Sequence, residues 1–208
     1  MSIHRSQTIL LTLSATVLGL GGFLGLAGLS SASPAAQEQK AAPVSGSYQV
    51  DAVHSAVIFR IKHIETSLSF GRFNAISGDL VVDEKSPEKS SVKITIEMDS
   101  VDTANQKRND HLKSPDFFEV REYPKATFES TKVVAGASGK ATITGKLVLH
   151  GVTKEISFPA TVEVGEKGLT LTSEFSIDRT QFGMTFGEGK VEPKVSMTVI
   201  VGEKTTPK

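Results

Sequence analysis

The sequence has no cysteine, no tryptophan and only two tyrosines among its 208 residues. Without cysteine there are no disulfides, no thiolate metal centres and no lipid-modified N-terminal cysteine. A chain lacking cross-links must be held together by its apolar core. Excess charge is missing too, because 23 Lys and Arg face 23 Asp and Glu. A near-neutral chain has no overall electrostatic reason to seek nucleic acid or an anionic lipid surface. Several catalytic signatures are also absent. The domain has no G-x-S-x-G nucleophile elbow and no HExxH pair. Gly139-Lys140 lacks both the first glycine and the Ser or Thr of a phosphate loop, and reads as a hairpin turn.

What is present begins with a secretory pattern. His4 and Arg5 precede an apolar run from Ile9 to Leu29, and the small residues Ser30, Ser31 and Ala32 follow. This order predicts a signal peptide over residues 1–32 and a periplasmic or secreted protein. The run is also long enough to span a bilayer, so an uncleaved membrane anchor is the alternative. Residues 33–46 (SPAAQEQKAAPVSG) have no apolar period and read as a flexible linker. The folded domain is expected over 47–203, with a short tail at 204–208, and it is long enough to bury a sizeable core.

From Tyr48 onward the apolar period is two. In Ser91–Asp99, Val92, Ile94, Ile96 and Met98 alternate with Lys93, Thr95, Glu97 and Asp99. The same pattern covers 152–164, 168–177 and 194–203, and weaker versions cover 50–62, 73–82, 125–134 and 140–149. Turn signals separate these runs at Lys85-Ser86-Pro87, Gly136–Gly139, His150-Gly151 and Gly165–Gly168. Eight strands with one apolar face each predict an all-β antiparallel fold. The sheet must bury that face by closing into a barrel or by packing on a second sheet. The inward set includes Phe59, Ile61, Ile94, Ile96, Phe128, Leu147, Phe158 and Phe175, and offers few polar groups to orient a polar substrate. Such an interior is either a packed core or an elongated apolar cavity.

One stretch breaks the strand pattern. Arg108 to Phe128 falls between the third and fourth expected strands, looks helical, and crowds together Asp110, His111, Asp116, Phe117, Phe118 and Tyr123. Asn105 or Asn109 can cap a short helix and Pro115 stops it. The segment reads as a lid, with Leu112, Phe117 and Phe118 buried and Lys107, Arg108 and Lys113 in water. A second loop over 178–189 holds Phe182, Met184 and Phe186 among three glycines, which suggests that it covers something. No metal site is expected. His54 and His63, nine apart, would face opposite sides of an unbroken strand, and His150 at a hairpin tip should be exposed.

The motifs add a resemblance. Val50-Asp51-x-x-His54-Ser55, Gly71-Arg72-Phe73, Gly78-Asp79-Leu80 and Arg108-Asn109-Asp110-His111-Leu112 occur in order. Ser114-Pro115-Asp116-Phe117-Phe118, Tyr123-Pro124, Leu149-His150-Gly151-Val152-Thr153-Lys154 and Asp178-Arg179-x-x-Phe182-Gly183-Met184 follow. With these the chain resembles the YceI-like family of exported polyisoprenoid-binding proteins. The resemblance implies an eight-stranded antiparallel lipocalin-like barrel with a short helical insert between strands 3 and 4. It also implies a polyisoprenoid or isoprenoid-quinone lipid inside, for transport, storage or stress protection. The resemblance supplies no catalytic mechanism, and with no nucleophile-base pair in the sequence a non-enzymatic binding protein without a cofactor is expected. Ligand contact is expected from Phe59, Ile61, Phe73, Ile94, Ile96 and His111. It is also expected from Phe117, Phe118, Phe128, Leu147, Phe158, Phe175, Phe182 and Met184, with any head group near His111, Asp110 or Tyr123. A membrane for lipid exchange and a second copy of the chain are further candidate partners. The alternatives are an enzyme of lipid metabolism using His111, Asp110 and His54, or a structural barrel that partners a membrane redox protein.

Overall fold

A computed structural model describes residues 45–165 and 168–202. The expected signal peptide, most of the linker, the tail, and Glu166-Lys167 of one turn lie outside the described residues. The described chain is one antiparallel sheet of eleven strands with one α-helix. The strands are β1 Gly46–Gln49, β2 Ala56–His63, β3 Ser67–Phe73, β4 Ile76–Val82, β5 Ser91–Glu97 and β6 Val101–Asp102. After the helix α1, Gln106–Lys113, come β7 Lys125–Ala135, β8 Lys140–Leu149, β9 Val152–Gly165, β10 Gly168–Asp178 and β11 Val191–Gly202. Their order across the sheet is β1-β4-β5-β7-β8-β9-β10-β11-β2-β3-β6. No helix among the described residues is long and apolar enough to cross a membrane.

The all-β antiparallel expectation holds, but the count of eight does not. One expected strand begins earlier than its alternation suggested and is broken at Asn74-Ala75 into β3 and β4. Another, expected over Ser91–Asp99, ends as β5 at a 3-10 turn, Met98–Ser100, and the short β6 follows beyond it. The eleventh strand is the short β1. The expected first strand also starts late, at Ala56 rather than Val50. The Asp51 carboxylate accepts from the Val53 N–H at 3.0 Å and from the His54 ring at 2.7 Å, which folds this stretch into a turn.

These breaks bend the sheet around. β5 pairs with β4 while β6, the continuation of β5, pairs with β3. Backbone bonds from Asn74 to Ser100 and from Glu97 to Ala75 stitch the junction. The curled sheet therefore returns on itself there. Gly78, with φ 149°, allows β4 to press close on β5, because a Cβ there would sit 1.9 Å from the Lys93 carbonyl oxygen.

Alternation sends one face of every strand inward. At one end the inward side chains meet: Leu80, Ile143 and Val201 are each 1 % exposed, with Leu169 and Leu171 beside them. Full burial of each such side chain stabilises the fold by about 1.5–3 kcal/mol.

At the other end lies α1. Asn105 caps it, its side chain accepting from the Arg108 N–H at 3.0 Å. Asn109 is not the cap. It is buried, and its Oδ1 accepts from both the N–H and the O–H of Thr103, at 2.8 and 2.6 Å, which fastens the helix to β6. The helix ends at Lys113 because Ser114, preceding Pro115, is extended at ψ 171°. Thus only the first part of Arg108–Phe128 is helical. A series of turns follows up to Pro124, and Lys125 already belongs to β7.

Candidate functional site: an apolar cavity with one polar end

The curled sheet encloses a cavity of about 400 Å³, within the range of small-ligand sites. Its wall follows strand parity. β2 contributes Val57, Phe59, Ile61 and His63, β5 contributes Ile94 and Ile96, and β11 contributes Val195, Met197 and Val199. Phe128, Leu147, Phe158 and Phe175 line it from β7, β8, β9 and β10. The rings form contacts along the wall. Phe158 stacks on Phe175 at 4.6 Å and tilts against Phe128 at 5.2 Å, while Phe73 joins Phe59 at 5.8 Å to Phe118 at 5.6 Å. Gly71 makes room for this, since a Cβ there would lie 2.5 Å from the Phe59 ring.

The polar lining groups are His63, Ser69, Arg108, His111 and Arg179, and no carboxylate lines the cavity. They share one end. Val191 pairs with His63 and its carbonyl accepts from Arg179 at 2.8 Å. Ser69 faces Ile61, one inward step from His63 on β2. Arg108 and His111 lie on α1, and the His111, Phe117 and Phe186 rings touch one another at 5.1–5.4 Å. His111 Nε2 is 2.8 Å from Asp116, outside the cavity.

Two side chains hold the covering loops. Arg179 is 4 % exposed. It donates to the carbonyls of Glu192 at 3.0 Å, of Val191 and of Met184, closing the loop that carries Met184 and Phe186. Burial pushes its pKa below the usual arginine value, and the neighbouring Asp178 charge opposes that shift. The guanidinium nonetheless stays charged. His150 Nδ1 must donate to the Phe182 carbonyl at 2.9 Å, since a carbonyl only accepts. Its Nε2 faces the Glu119 carboxylate at 3.6 Å and its ring meets Tyr123 at 4.8 Å. This ties the β8–β9 turn to both loops, and here sequence reasoning erred: the His150 side chain is only 15 % exposed.

Of the residues expected to meet a ligand, Phe59, Ile61, Phe73, Ile94, Ile96, His111, Phe117, Phe118, Phe128, Leu147, Phe158, Phe175 and Met184 line the cavity. Phe182 does not. It is 2 % exposed and packs in the core beside the cavity wall. Of the three expected head-group residues only His111 reaches the cavity. Asp110 accepts from Gln106 on the exposed helix face, and Tyr123 packs on His150. Arg108, expected in water, lines the cavity while donating to the Thr103 carbonyl at 2.8 Å. His63, Phe186 and Arg179 were missed as lining residues. Parity with Val57, Phe59 and Ile61 was a signal that could have found His63. The residues of the enzymatic alternative are scattered, since His54 pairs with Asp51 and abuts Gly202, whereas His111 stands at the polar end. Among the described residues no three His, Asp or Glu side chains gather as a metal site.

Comparison with known proteins places this architecture. The UPF0312 protein of Pseudomonas aeruginosa is 44 % identical over 119 residues, covering 56 % of this chain and 62 % of that protein. The match thus spans less than two thirds of that relative. Protein YceI of Salmonella newport is 34 % identical over 166 residues, covering 76 % and 86 %. Among solved structures, BcnA of Burkholderia cenocepacia superposes with a TM-score of 0.71 at 26 % identity, over 74 % of this chain and 99 % of its own. A polyisoprenoid binding domain from Saccharophagus degradans gives 0.64 at 18 % identity, over 76 % and 98 %. The lower identity of that second likeness speaks to the fold alone. The model of the YceI-like domain matches residues 48–202, most of the chain, and with the Salmonella relative it shows that this protein belongs to the YceI-like family.

Proposed function

We propose that the protein binds a lipid of the polyisoprenoid or isoprenoid-quinone kind, with its apolar chain inside the curled sheet and its polar head at the end lined by His63, Arg108, His111 and Arg179. The observation that carries the reading is the cavity itself, walled by phenylalanine and aliphatic side chains and polar at one end only. Burial of about 400 Å² of an apolar chain would contribute about 10 kcal/mol, less the cost of ordering a flexible ligand. The polyisoprenoid binding of the Saccharophagus domain is in keeping with this. The role is holding rather than converting, for transport, storage or stress protection. The proposal includes export, on the strength of the pattern in residues 1–32.

The test is mass spectrometry of lipid extracted from the purified protein. A stoichiometric prenyl lipid is the expected result. Protein that carries none and takes none up, or that yields turnover products, would sink the proposal. Phe117→Asp places a charge at the polar end and should release the lipid while the β circular dichroism stays unchanged.

A further inference from the structure

The β2–β3 hairpin presents two faces with different contents. Val57, Phe59, Ile61 and His63 of β2, and Ser69 and Phe73 of β3, face the cavity. The alternate residues therefore point outward. Leu68 and Phe70 are 59 % and 62 % exposed, and Ile64 at the tip is 59 % exposed. Across the ladder Arg60 stands opposite Phe70 and Lys62 opposite Leu68, so each large apolar side chain has a cation beside it. Ile64 adopts φ 51°, a conformation a β-branched residue resists. The tip thus holds an isoleucine in a strained, exposed position, and such strain clusters at functional sites. Beyond its two-residue pairing with β6 at Arg72 and Phe73, β3 is an edge strand. Phe186, 45 % exposed, belongs to the polar end of the cavity that the hairpin borders.

We propose that this hairpin docks on an anionic phospholipid bilayer, with Ile64, Leu68 and Phe70 entering the interface and Arg60 and Lys62 reaching the head groups. The purpose of docking rests on the lipid-binding reading: a prenyl chain gains about 0.8 kcal/mol per buried CH₂ by staying in a bilayer, so a carrier must meet it there. Docking this hairpin sets the polar end of the cavity against the membrane. The mixture of large apolar and long cationic side chains suits an interface, where the cations snorkel to phosphate depth. Acidic groups near the face are Glu65 at the tip, Glu192 at 3.8 Å from Lys62, and Asp102 opposite Arg72. The chain as a whole is neutral, so the attraction is local and the apolar insertion carries most of the affinity. Stacking this face on a second copy would instead bring Arg60 and Lys62 of both copies together.

Because the chain has no tryptophan, Phe70→Trp is a unique reporter in the full-length protein. With vesicles of phosphatidylcholine containing a minority of phosphatidylglycerol, its emission should shift to the blue and be quenched by brominated acyl chains. Adding Arg60→Glu and Lys62→Glu should weaken vesicle affinity by about tenfold or more. Val134→Trp, on an exposed position of β7, should show neither effect. An unshifted Phe70→Trp would overturn the proposal, and so would equal quenching at Val134→Trp. A blue shift that grows with protein concentration in the absence of vesicles would also overturn it, in favour of a second copy. Extracted lipid is measured on the same samples. Docking without bound prenyl lipid would sink the carrier reading alone, and bound lipid without docking would sink this inference alone.

Discussion

The two ends of the curled sheet are built from the same alternating strands and come out differently. At one end Leu80, Ile143, Leu169, Leu171 and Val201 are each at most 3 % exposed. At the other, His111, Phe117 and Phe186 form a ring cluster that is half-buried to exposed, at the polar end of the cavity. Strand pairing accounts for part of this. β9 and β10 pair only from Gly165 and Gly168 to Thr161 and Thr172, and toward the polar end their ladder stops. The gap is bridged by the loop carrying Phe182, through His150. An inward apolar face is thus a core where strands converge and a binding wall where they part. Stability is expected to reside at the first end and ligand retention at the second.

The sharpest way to break that division is a pair of truncations. Leu80→Ala should cost about 2–5 kcal/mol in chemical denaturation, because it truncates a side chain only 1 % exposed, while prenyl lipid is retained. Phe117→Ala should cost under about 1 kcal/mol and lose the lipid. Equal stability losses would mean the two ends are not divided in this way.

Next in size is Arg179→Met. It removes three charge-assisted bonds to the carbonyls of Met184, Val191 and Glu192 and should cost about 3 kcal/mol. Hydrogen exchange should rise over 179–192 and remain low in β7 and β8. Uniform exchange through the whole sheet would show that the loop and the closed end unfold together. A smaller effect is expected from Asn105→Ala, which removes the cap of α1 and should cost about 1 kcal/mol, read as faster exchange in Gln106–Lys113.

Residues on regular strands are legible because parity alone assigns their side, and the inward side from Phe59 to Phe175 follows it. Phe182 was expected at the cavity because its Gly-rich loop also holds Met184 and Phe186, but composition does not say which of the three turns into the core, and it is Phe182, in the 3-10 turn, that does. Arg179 has backbone carbonyls as partners, and carbonyls leave no mark in a sequence. His150 sits on a tight turn, as the His-Gly pair indicated, yet the segment containing Glu119 and Tyr123 folds over it. The turn between β5 and β6 left little mark for a related reason: the alternation from Val92 to Met98 runs straight into it, and only tertiary pairing with β3 shows Val101–Asp102 as a strand. Local periodicity thus described the wall, and the devices that keep one end open were tertiary.

Acid should separate the two ends most gently of all. Asp178, at the end of β10 beside Arg179, accepts from the Thr180 hydroxyl at 2.6 Å and the Thr180 N–H at 2.9 Å. These bonds favour the carboxylate and hold its pKa below the ordinary value of 3.8. A carboxyl depressed in the folded state stabilises fully above its unfolded pKa, and that contribution disappears as pH falls through the folded value. Asp102, which accepts from the Ala104 N–H near α1, is shifted in the same direction. Among the buried residues of the closed end, Leu80, Ile143, Leu169, Leu171 and Val201 cannot titrate. Below about pH 4, exchange over 179–192 should therefore quicken before that of β8. Asp178→Asn stands in for the protonated carboxyl and removes the titration, so it should raise exchange over 179–192 at neutral pH toward the acid level and flatten this acid limb. An acid limb that is unchanged in the Asn variant would assign the loosening to other groups.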